Sequence, residues 1–164
     1  VIETQEPGVR IIDKTGPLAN PADRDHCIQY MVAIPLLFGR LTAADYEDAV
    51  ASDPRVDALR AKMTVQENPT FTREYYERDK RYIGNAVQVF FRDGTSTPRI
   101  AVDFPIGHRK RRDEGMPVLV KKFETSVAAH FAAKQAAAIV ALFLDAAKLD
   151  AMPVHEFVAA MVKN

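Results

Sequence analysis

Two alternating segments on either side of Asp93-Gly94 restrict the fold of this chain more than any other feature of its sequence. Apolar residues occupy every second position over 87–91 and again over 100–104. Alternation with a period of two indicates strands with one buried face, and Asp-Gly can adopt the positive φ that tight turns need. The pattern therefore predicts an antiparallel hairpin, with Pro98 at a strand start or edge, and excludes an all-helical fold.

Helical signals dominate much of the remaining sequence. From Pro117 onward, apolar residues recur three and four positions apart, and 134–149 is rich in alanine. Residues 1–4 are predicted as a strand that leads into a turn over 5–8, and 63–67 as a further short strand. We therefore predict an α+β fold in which a small antiparallel sheet packs with helices and is followed by C-terminal helices.

The composition places the chain among ordinary globular domains. Of its 164 residues, 48% are hydrophobic and 27% are charged, which is too apolar for a disordered segment. Lys plus Arg equals Asp plus Glu, 22 each, and this balance argues against bulk binding to nucleic acid or to a membrane. The single cysteine, Cys27, excludes an internal disulfide and a cysteine-rich zinc site, and it fits a reducing cytosol, so we expect a cytoplasmic protein. No apolar run approaches the roughly 18 residues of a membrane span.

A loop rich in proline, glycine and asparagine runs over 13–20 and leads into a predicted helix. Asn20 can accept a hydrogen bond from a free backbone N–H at the helix start, and Pro21 suits the first helical position. The helix is predicted to continue to about residue 37 and to end at Gly39.

Three further segments carry local signals. Thr42-Ala-Ala-Asp45 resembles a capping box and predicts a short helix over 43–50. Ser52-Asp-Pro54 predicts the start of another helix by the same logic. Residues 70–82 are dense in charge and tyrosine, and we interpret them as an irregular surface loop with one helical turn.

Two stripes of residues divide the surface of the helix that begins at Pro21. The apolar stripe is expected to be buried and consists of Ile28, Met31, Val32, Pro35 and Leu36. At about 100° per residue, Asp23, His26 and Tyr30 fall on nearly the opposite side, close in sequence to the cations Lys14 and Arg24. This second stripe is either an ordinary solvated face or a polar wall for an anionic ligand, and the spacing alone does not choose between them.

Four cations follow one another over 109–112, directly after His108. Such a run indicates either a patch for nucleic acid or phosphate, or an ordinary surface loop. A non-catalytic α+β module that binds an anionic partner through this patch is therefore one alternative for the whole chain.

Three runs of sequence carry a resemblance to a known family. They are 11–48, which begins Ile-Ile-Asp-Lys-Thr-Gly-Pro-Leu-Ala-Asn-Pro, 104–109, Phe-Pro-Ile-Gly-His-Arg, and 119–123, Leu-Val-Lys-Lys-Phe. Together they resemble the 2-methylcitrate dehydratases of the MmgE/PrpD family, and the likeness extends nearly from end to end. Family members are several hundred residues long and begin with a large helical domain, so this chain resembles their C-terminal third. We expect an excised piece in which 1–123 form a lid-like α+β domain and 124–164 a helical segment that joins the absent helical domain.

The resemblance also implies a reaction and a set of residues. It implies a hydro-lyase that removes water from 2-methylcitrate to give 2-methyl-cis-aconitate, in the methylcitrate cycle of propionate breakdown. It implies no cofactor, a catalytic base outside this chain, a homodimer, and no activity of the chain by itself. It suggests catalytic roles for Tyr30 and His26, and it suggests that substrate carboxylates are bound by Lys14, Arg24, His108 and Arg109. Relatives isomerise or decarboxylate similar acids, so a reaction on another polycarboxylate is the alternative within the family.

Overall fold

The computed structural model describes residues 1–163, which separate into two compact units. The first unit, Val1–Pro105, contains the sheet, and the second begins at Ile106 and is helical. The domain division after residue 123 that the resemblance implies stays a prediction.

The first unit contains a four-stranded mixed sheet in the order β2-β1-β3-β4. Its strands are β1 (Ile2–Thr4), β2 (Val65–Glu67), β3 (Asn85–Val87) and β4 (Ile100–Val102). β1 pairs with β2 in parallel, with Ile2 opposite Val65, and it pairs with β3 in the antiparallel sense, with Ile2 opposite Val87. The α+β class and both predicted short strands are confirmed. One pairing is parallel because several helices lie between β1 and β2 in the sequence and carry the chain back to the same end of the sheet.

The predicted hairpin around Asp93-Gly94 is confirmed. β3 and β4 pair in the antiparallel sense, Gly94 adopts a φ of 87°, and the Phe91 N–H donates to the Thr95 carbonyl at 2.8 Å. The ladder is shorter than the alternation suggested, because β3 ends at Val87 and an isolated bridge continues the pairing toward the turn. The expected buried face is wrong for β4, whose three residues, Ile100–Val102, are all exposed.

Glu3 joins three parts of the sheet through its carboxylate. Arg99, next to β4, donates from Nε at 2.7 Å and from Nη2 at 2.6 Å, so the pair is bidentate. Asn68, just after β2, donates from Nδ2 at 2.6 Å. The Arg99 hydrogen bonds, followed by the bond from Asn68, lower the pKa of Glu3 from 4.5 to about 2.

Six α-helices and one 3₁₀ turn complete the first unit. They are α1 (Glu6–Ile12), α2 (Pro21–Asp25), α3 (Ile28–Phe38), the 3₁₀ turn Ala43–Tyr46, α4 (Asp48–Ala51), α5 (Pro54–Arg60) and α6 (Pro69–Tyr76). The predicted cap at Asn20 is confirmed, since its side chain accepts from the Asp23 N–H at 3.0 Å. Asp53 caps α5 in the same way, and Gly39 ends α3 with a φ of 69°.

The prediction of one helix from Pro21 to residue 37 is wrong, because the chain breaks at His26 and Cys27. His26 ends α2, and Cys27 is extended, with φ −126° and ψ 107°. The extended residue carries the Cys27 side chain into the core, where it is fully buried. Since the two helices have separate axes, Asp23, His26 and Tyr30 do not form a stripe on one face.

α3 also buries a different face from the predicted one. The core of the first unit consists of Cys27, Tyr30, Ala33, Ile34 and Val56. Of the predicted buried stripe, Ile28 is buried, whereas Pro35 and Leu36 are exposed. Because α3 is apolar on nearly every side, hydrophobicity did not identify its inner face, and the burial of Tyr30 was missed.

Two segments predicted to be irregular are helical. The predicted turn over 5–8 lies largely within α1, whose first turn contains Pro7. Most of 70–82 falls in or beside α6, and the ring of Phe71 is buried. That ring packs so tightly on Gly84 that a Cβ there would lie 2.5 Å from it.

The helix predicted over 43–50 is divided at Glu47 into the 3₁₀ turn and α4. The predicted capping box is confirmed, since the Asp45 carboxylate accepts from the Thr42 N–H at 2.8 Å and from the Thr42 hydroxyl at 2.7 Å.

The second unit is helical. A 3₁₀ turn, Arg109–Arg111, precedes α7 (Arg112–His130), α8 (Ala133–Phe143), α9 (Ala146–Ala151) and α10 (Val154–Ala160). α7 begins five residues before the predicted Pro117, with Asp113 and Glu114 in a first turn where acids are favourable. The small core of this unit consists of Val127, Ala136 and Ile139. Among residues 1–163, no helix is both long and apolar enough to cross a membrane.

Candidate functional site

The loop that carries Lys14 is fixed to the helices behind it by two buried side chains. Gln29 of α3 accepts from the Lys14 N–H at 3.3 Å and donates to the Asp13 carboxylate at 2.5 Å. Arg60, the last residue of α5, donates to the Gly16 carbonyl at 3.1 Å. These contacts tie the loop to the start of α3 and the end of α5.

A cleft of about 510 Å³ lies between this loop and the helices. Its walls consist of Lys14, Thr15, Gly16, Pro17, Gln29, Asp57, Arg60, Ala61 and Met63. The Lys14 ammonium lies 3.8 Å from the Asp23 carboxylate, a separation at the outer limit of an ion pair. The cleft therefore has two cations on its walls, of which Arg60 is held by hydrogen bonds to Asp57 and Gly16.

Arg24 is a buried link between α2 and the segment that follows α3. Its side chain donates from Nη1 to the Tyr46 carbonyl at 2.7 Å and from Nη2 to the Asp48 carboxylate at 2.6 Å. Arg24 is only 5% exposed, whereas the Asp48 side chain is 86% exposed. The predicted cation is thus present, but it lies in the interior rather than on an open helix face.

A second cleft, of about 270 Å³, is lined by both buried arginines. Its walls consist of Leu18, Arg24, Tyr30, Asp48, Ala51, Ser52, Asp57 and Arg60. Within the part of the chain that the structure describes, the Nε atoms of Arg24 and Arg60 are buried and have no hydrogen-bond partner. The two clefts share Arg60 and Asp57, so the predicted residues Lys14, Arg24 and Tyr30 are brought together around them.

Tyr30 is a core residue whose hydroxyl group is engaged inside the protein. Its side chain is 2% exposed, and the hydroxyl donates to the Asp45 carbonyl at 2.5 Å. Its ring stacks on Tyr46 with centroids 5.9 Å apart. Burial raises the pKa of Tyr30 above its usual range. The phenol is therefore held neutral and oriented, and a catalytic role for it stays a prediction.

His26 lies on the surface beside its neighbour in the sequence. Its Nδ1 is 2.5 Å from the Asp25 carboxylate, and the imidazole is largely exposed. It does not line either of the two clefts described above. The break between α2 and α3 separates His26 from Tyr30, and the catalytic role of His26 stays a prediction.

His108 and Arg109 belong to the second unit. His108 caps the 3₁₀ turn by accepting from the Lys110 N–H at 3.2 Å. Arg111 forms an ion pair with Glu114 at 2.9 Å, which reduces the positive field of the cationic run. A role of His108 and Arg109 in binding substrate stays a prediction.

Sequence reasoning missed Arg60, which lines both clefts. The sequence carried part of the signal, because Arg60 follows the apolar Val56 by four residues and so lies on the same side of α5. That this side faces the core is decided by the fold. Among the described residues, no group of three or more His, Cys, Asp or Glu side chains is arranged to hold a metal ion.

The chain is similar in sequence to one family and to several curated proteins. The family model of the MmgE/PrpD C-terminal domain matches residues 1–146. The chain is 59% identical over 156 residues to the 2-methylcitrate dehydratase of Cupriavidus necator, which covers 95% of this chain and 32% of that protein. The 2-methylcitrate dehydratase of Escherichia coli K12 is 56% identical with the same coverage. The mitochondrial 2-methylcitrate dehydratase of Yarrowia lipolytica is 54% identical over 99% of this chain and 31% of that protein. The chain therefore spans about a third of the length of the curated relatives that it matches.

Proposed function

The chain belongs to the MmgE/PrpD family, and from this membership we propose that the whole protein is a 2-methylcitrate dehydratase. In this proposal it removes water from 2-methylcitrate to give 2-methyl-cis-aconitate, a step of the methylcitrate cycle of propionate breakdown. The observation that carries the proposal is the identity of 54–59% to three relatives of that name over nearly the whole chain.

The reaction makes physical demands that the first unit meets in part. A tricarboxylate needs several cationic donors, and Lys14, Arg24 and Arg60 lie around two neighbouring clefts. Removal of a carbon-bound proton needs a placed base, and the leaving hydroxide needs a proton. We propose that this chain supplies carboxylate binding and that the base comes from residues outside it, in a helical domain of the same protein.

It follows that the chain alone does not turn over 2-methylcitrate. The sharpest test is a chimera in which this chain replaces the matched C-terminal third of the Cupriavidus necator relative. We expect the chimera to produce the ultraviolet absorbance of the conjugated product, and we expect the chain alone and the truncated relative to produce none.

Each outcome of this test has a distinct meaning. A folded chimera without turnover argues against the proposed reaction. Turnover by the chain alone argues against the proposal that the catalytic base lies outside this chain. Mass spectrometry of the products separates dehydration from isomerisation or decarboxylation of other polycarboxylates, which is the alternative within the family.

Two further parts of the proposal concern the setting of the protein. We propose a cytoplasmic location, which the single buried thiol of Cys27 supports, and a homodimer. Fractionation of cells and light scattering of the purified whole protein test these points. Recovery of the protein in another cell fraction would contradict the cytoplasmic location. A light-scattering mass equal to that of a monomer would contradict the homodimer.

A further inference from the structure

We propose that Arg24 and Arg60 form a subsite for a small polycarboxylate, in the cleft of about 270 Å³ that both residues line. The inference rests on the proposed function for the identity of the natural ligand. The resemblance already suggests a carboxylate-binding role for Arg24, whereas Arg60 is assigned only by the geometry of the first unit.

The first observation is the incomplete bonding of Arg24. The Nε and Nη2 atoms of an arginine form one edge, which binds a carboxylate through two parallel hydrogen bonds. In Arg24 the Nη2 atom donates to Asp48, and the Nε atom on the same edge has no partner among the described residues. A buried donor without a partner is costly, so this edge is better matched by an acceptor that contacts both atoms.

Arg60 shows the same deficit at the same cleft. It is 8% exposed and donates from Nη2 to the Gly16 carbonyl and from Nη1 to Asp57, while its buried Nε also has no partner among the described residues. Two nearly buried guanidinium groups on one cleft, each with an unused donor, are a costly arrangement for a purely structural contact.

The carboxylates that now contact the two arginines identify the chemistry of the ligand. Asp48 and Asp57 lie on the rim, and their side chains are 86% and 72% exposed. An exposed carboxylate can turn into solvent at little cost, because an ion pair with one solvated member contributes little. A ligand with two or more carboxylates can therefore replace both side chains at once, one at each guanidinium.

The size of the cleft agrees with such a ligand. A volume of about 270 Å³ corresponds to roughly nine water molecules at about 30 Å³ each. That space suits a small di- or tricarboxylate, and Leu18 and Ala51 supply apolar walls for its carbon skeleton.

The test uses the full 164-residue chain with citrate as the probe, measured by isothermal titration calorimetry at low salt. Replacing Asp48 with Asn removes the competing negative charge but keeps an amide oxygen that can still accept from the buried Arg24 guanidinium when no ligand is bound. We expect this variant to bind citrate roughly tenfold more tightly, the gain of about one charge-assisted hydrogen bond. Glu47→Gln is the matched control, because it removes the same charge from the neighbouring exposed residue, and we expect it to leave the affinity unchanged.

A second variant tests the guanidinium itself. Arg24→Lys keeps the charge but loses the two parallel N–H donors of the guanidinium, so citrate binding should weaken at least tenfold. Circular dichroism verifies that the variant is folded. If that variant unfolds, the comparison of Asp48→Asn with Glu47→Gln still decides the question.

Several results would overturn the inference. These are no citrate binding by the chain or by Asp48→Asn, equal effects of Asp48→Asn and Glu47→Gln, and binding of inorganic phosphate as tight as that of citrate. Absence of citrate binding would refute the subsite but would not affect turnover by the chimera. Absence of turnover by the chimera would refute the proposed reaction but would not affect citrate binding by this chain. The two proposals are therefore tested separately.

Discussion

Replacing Tyr30 with Phe removes one hydrogen bond from the core of the first unit and leaves the ring in place. The Tyr30 hydroxyl donates to the Asp45 carbonyl at 2.5 Å, and both residues are almost completely buried. The carbonyl then loses this donor in a region that water does not reach. The cost of leaving such a group unsatisfied is about 1–3 kcal/mol. For a chain of this length, each kcal/mol lowers the melting temperature by roughly 2–4 °C.

Urea unfolding followed by circular dichroism measures this effect as a shift of the midpoint at unchanged slope. The matched control is Tyr76→Phe, since the Tyr76 hydroxyl donates to the Glu6 carboxylate at 3.2 Å but the residue is 53% exposed. We expect the control to change stability by less than about 0.5 kcal/mol. Equal stability of Tyr30→Phe and the wild type, or equal losses in the two variants, would refute the reasoning.

The pH dependence of the same pair provides an independent check. Burial raises the pKa of Tyr30, whereas the unfolded chain titrates near the usual value of about 10. The folded state then holds its proton more tightly, so this stability is present below about pH 10 and is lost as the pH rises through the folded pKa. Phe has no proton to lose, so the stability gap between wild type and Tyr30→Phe should narrow above pH 10. A gap that widens there would contradict the raised pKa.

Four further outcomes are expected. Glu3→Gln should reduce the loss of stability at acid pH, because the lowered pKa of Glu3 provides stability that is present above about pH 4.5 and lost as the pH falls toward 2. Urea midpoints at pH 3 and pH 7 measure this loss. An equal loss in the variant and the wild type would contradict the prediction. Gly39→Ala should cost about 1 kcal/mol, because Gly39 has a φ of 69°, and a variant as stable as the wild type in urea would be the contrary result. The Cys27 thiol, fully buried, should react with a chromogenic disulfide reagent only as fast as the chain opens, and rapid labelling of the native chain would contradict its burial. The chain should show no binding to nucleic acid at moderate salt in an anisotropy titration, because its charge is balanced, and salt-sensitive binding would favour a role for the cationic run instead.

Signals that act over a few residues were readable directly from the sequence. The cap at Asn20, the end of α3 at Gly39 and the capping box at Thr42 depend on hydrogen bonds and backbone angles within about four residues, and all three are confirmed. The hairpin at Asp93-Gly94 is confirmed for the same reason, since its turn depends on residues within one short stretch. The extended likeness to the MmgE/PrpD family was likewise carried by the residues alone.

The inner face of α3 could not be determined from the sequence. α3 is apolar on nearly every side, so periodicity favoured the stripe with Leu36, whereas the protein buries the stripe with Tyr30. The buried Tyr30 hydroxyl is satisfied by the Asp45 carbonyl, fifteen residues away. A partner at that distance in sequence leaves no local trace.

The sequence by itself determined the class of fold, the positions of most caps and turns, and the family, because these depend on neighbours along the chain. Only the tertiary structure decided the break between α2 and α3, the burial of Arg24 and the presence of Arg60 on the same cleft. Arg24 donates to the carbonyl of Tyr46, 22 residues away along the chain, and Arg60 donates to the carbonyl of Gly16, 44 residues away. The cost of burying a charged side chain is offset only when hydrogen-bond acceptors from distant parts of the sequence contact it. Those contacts form only in the folded chain and cannot be read from any single segment.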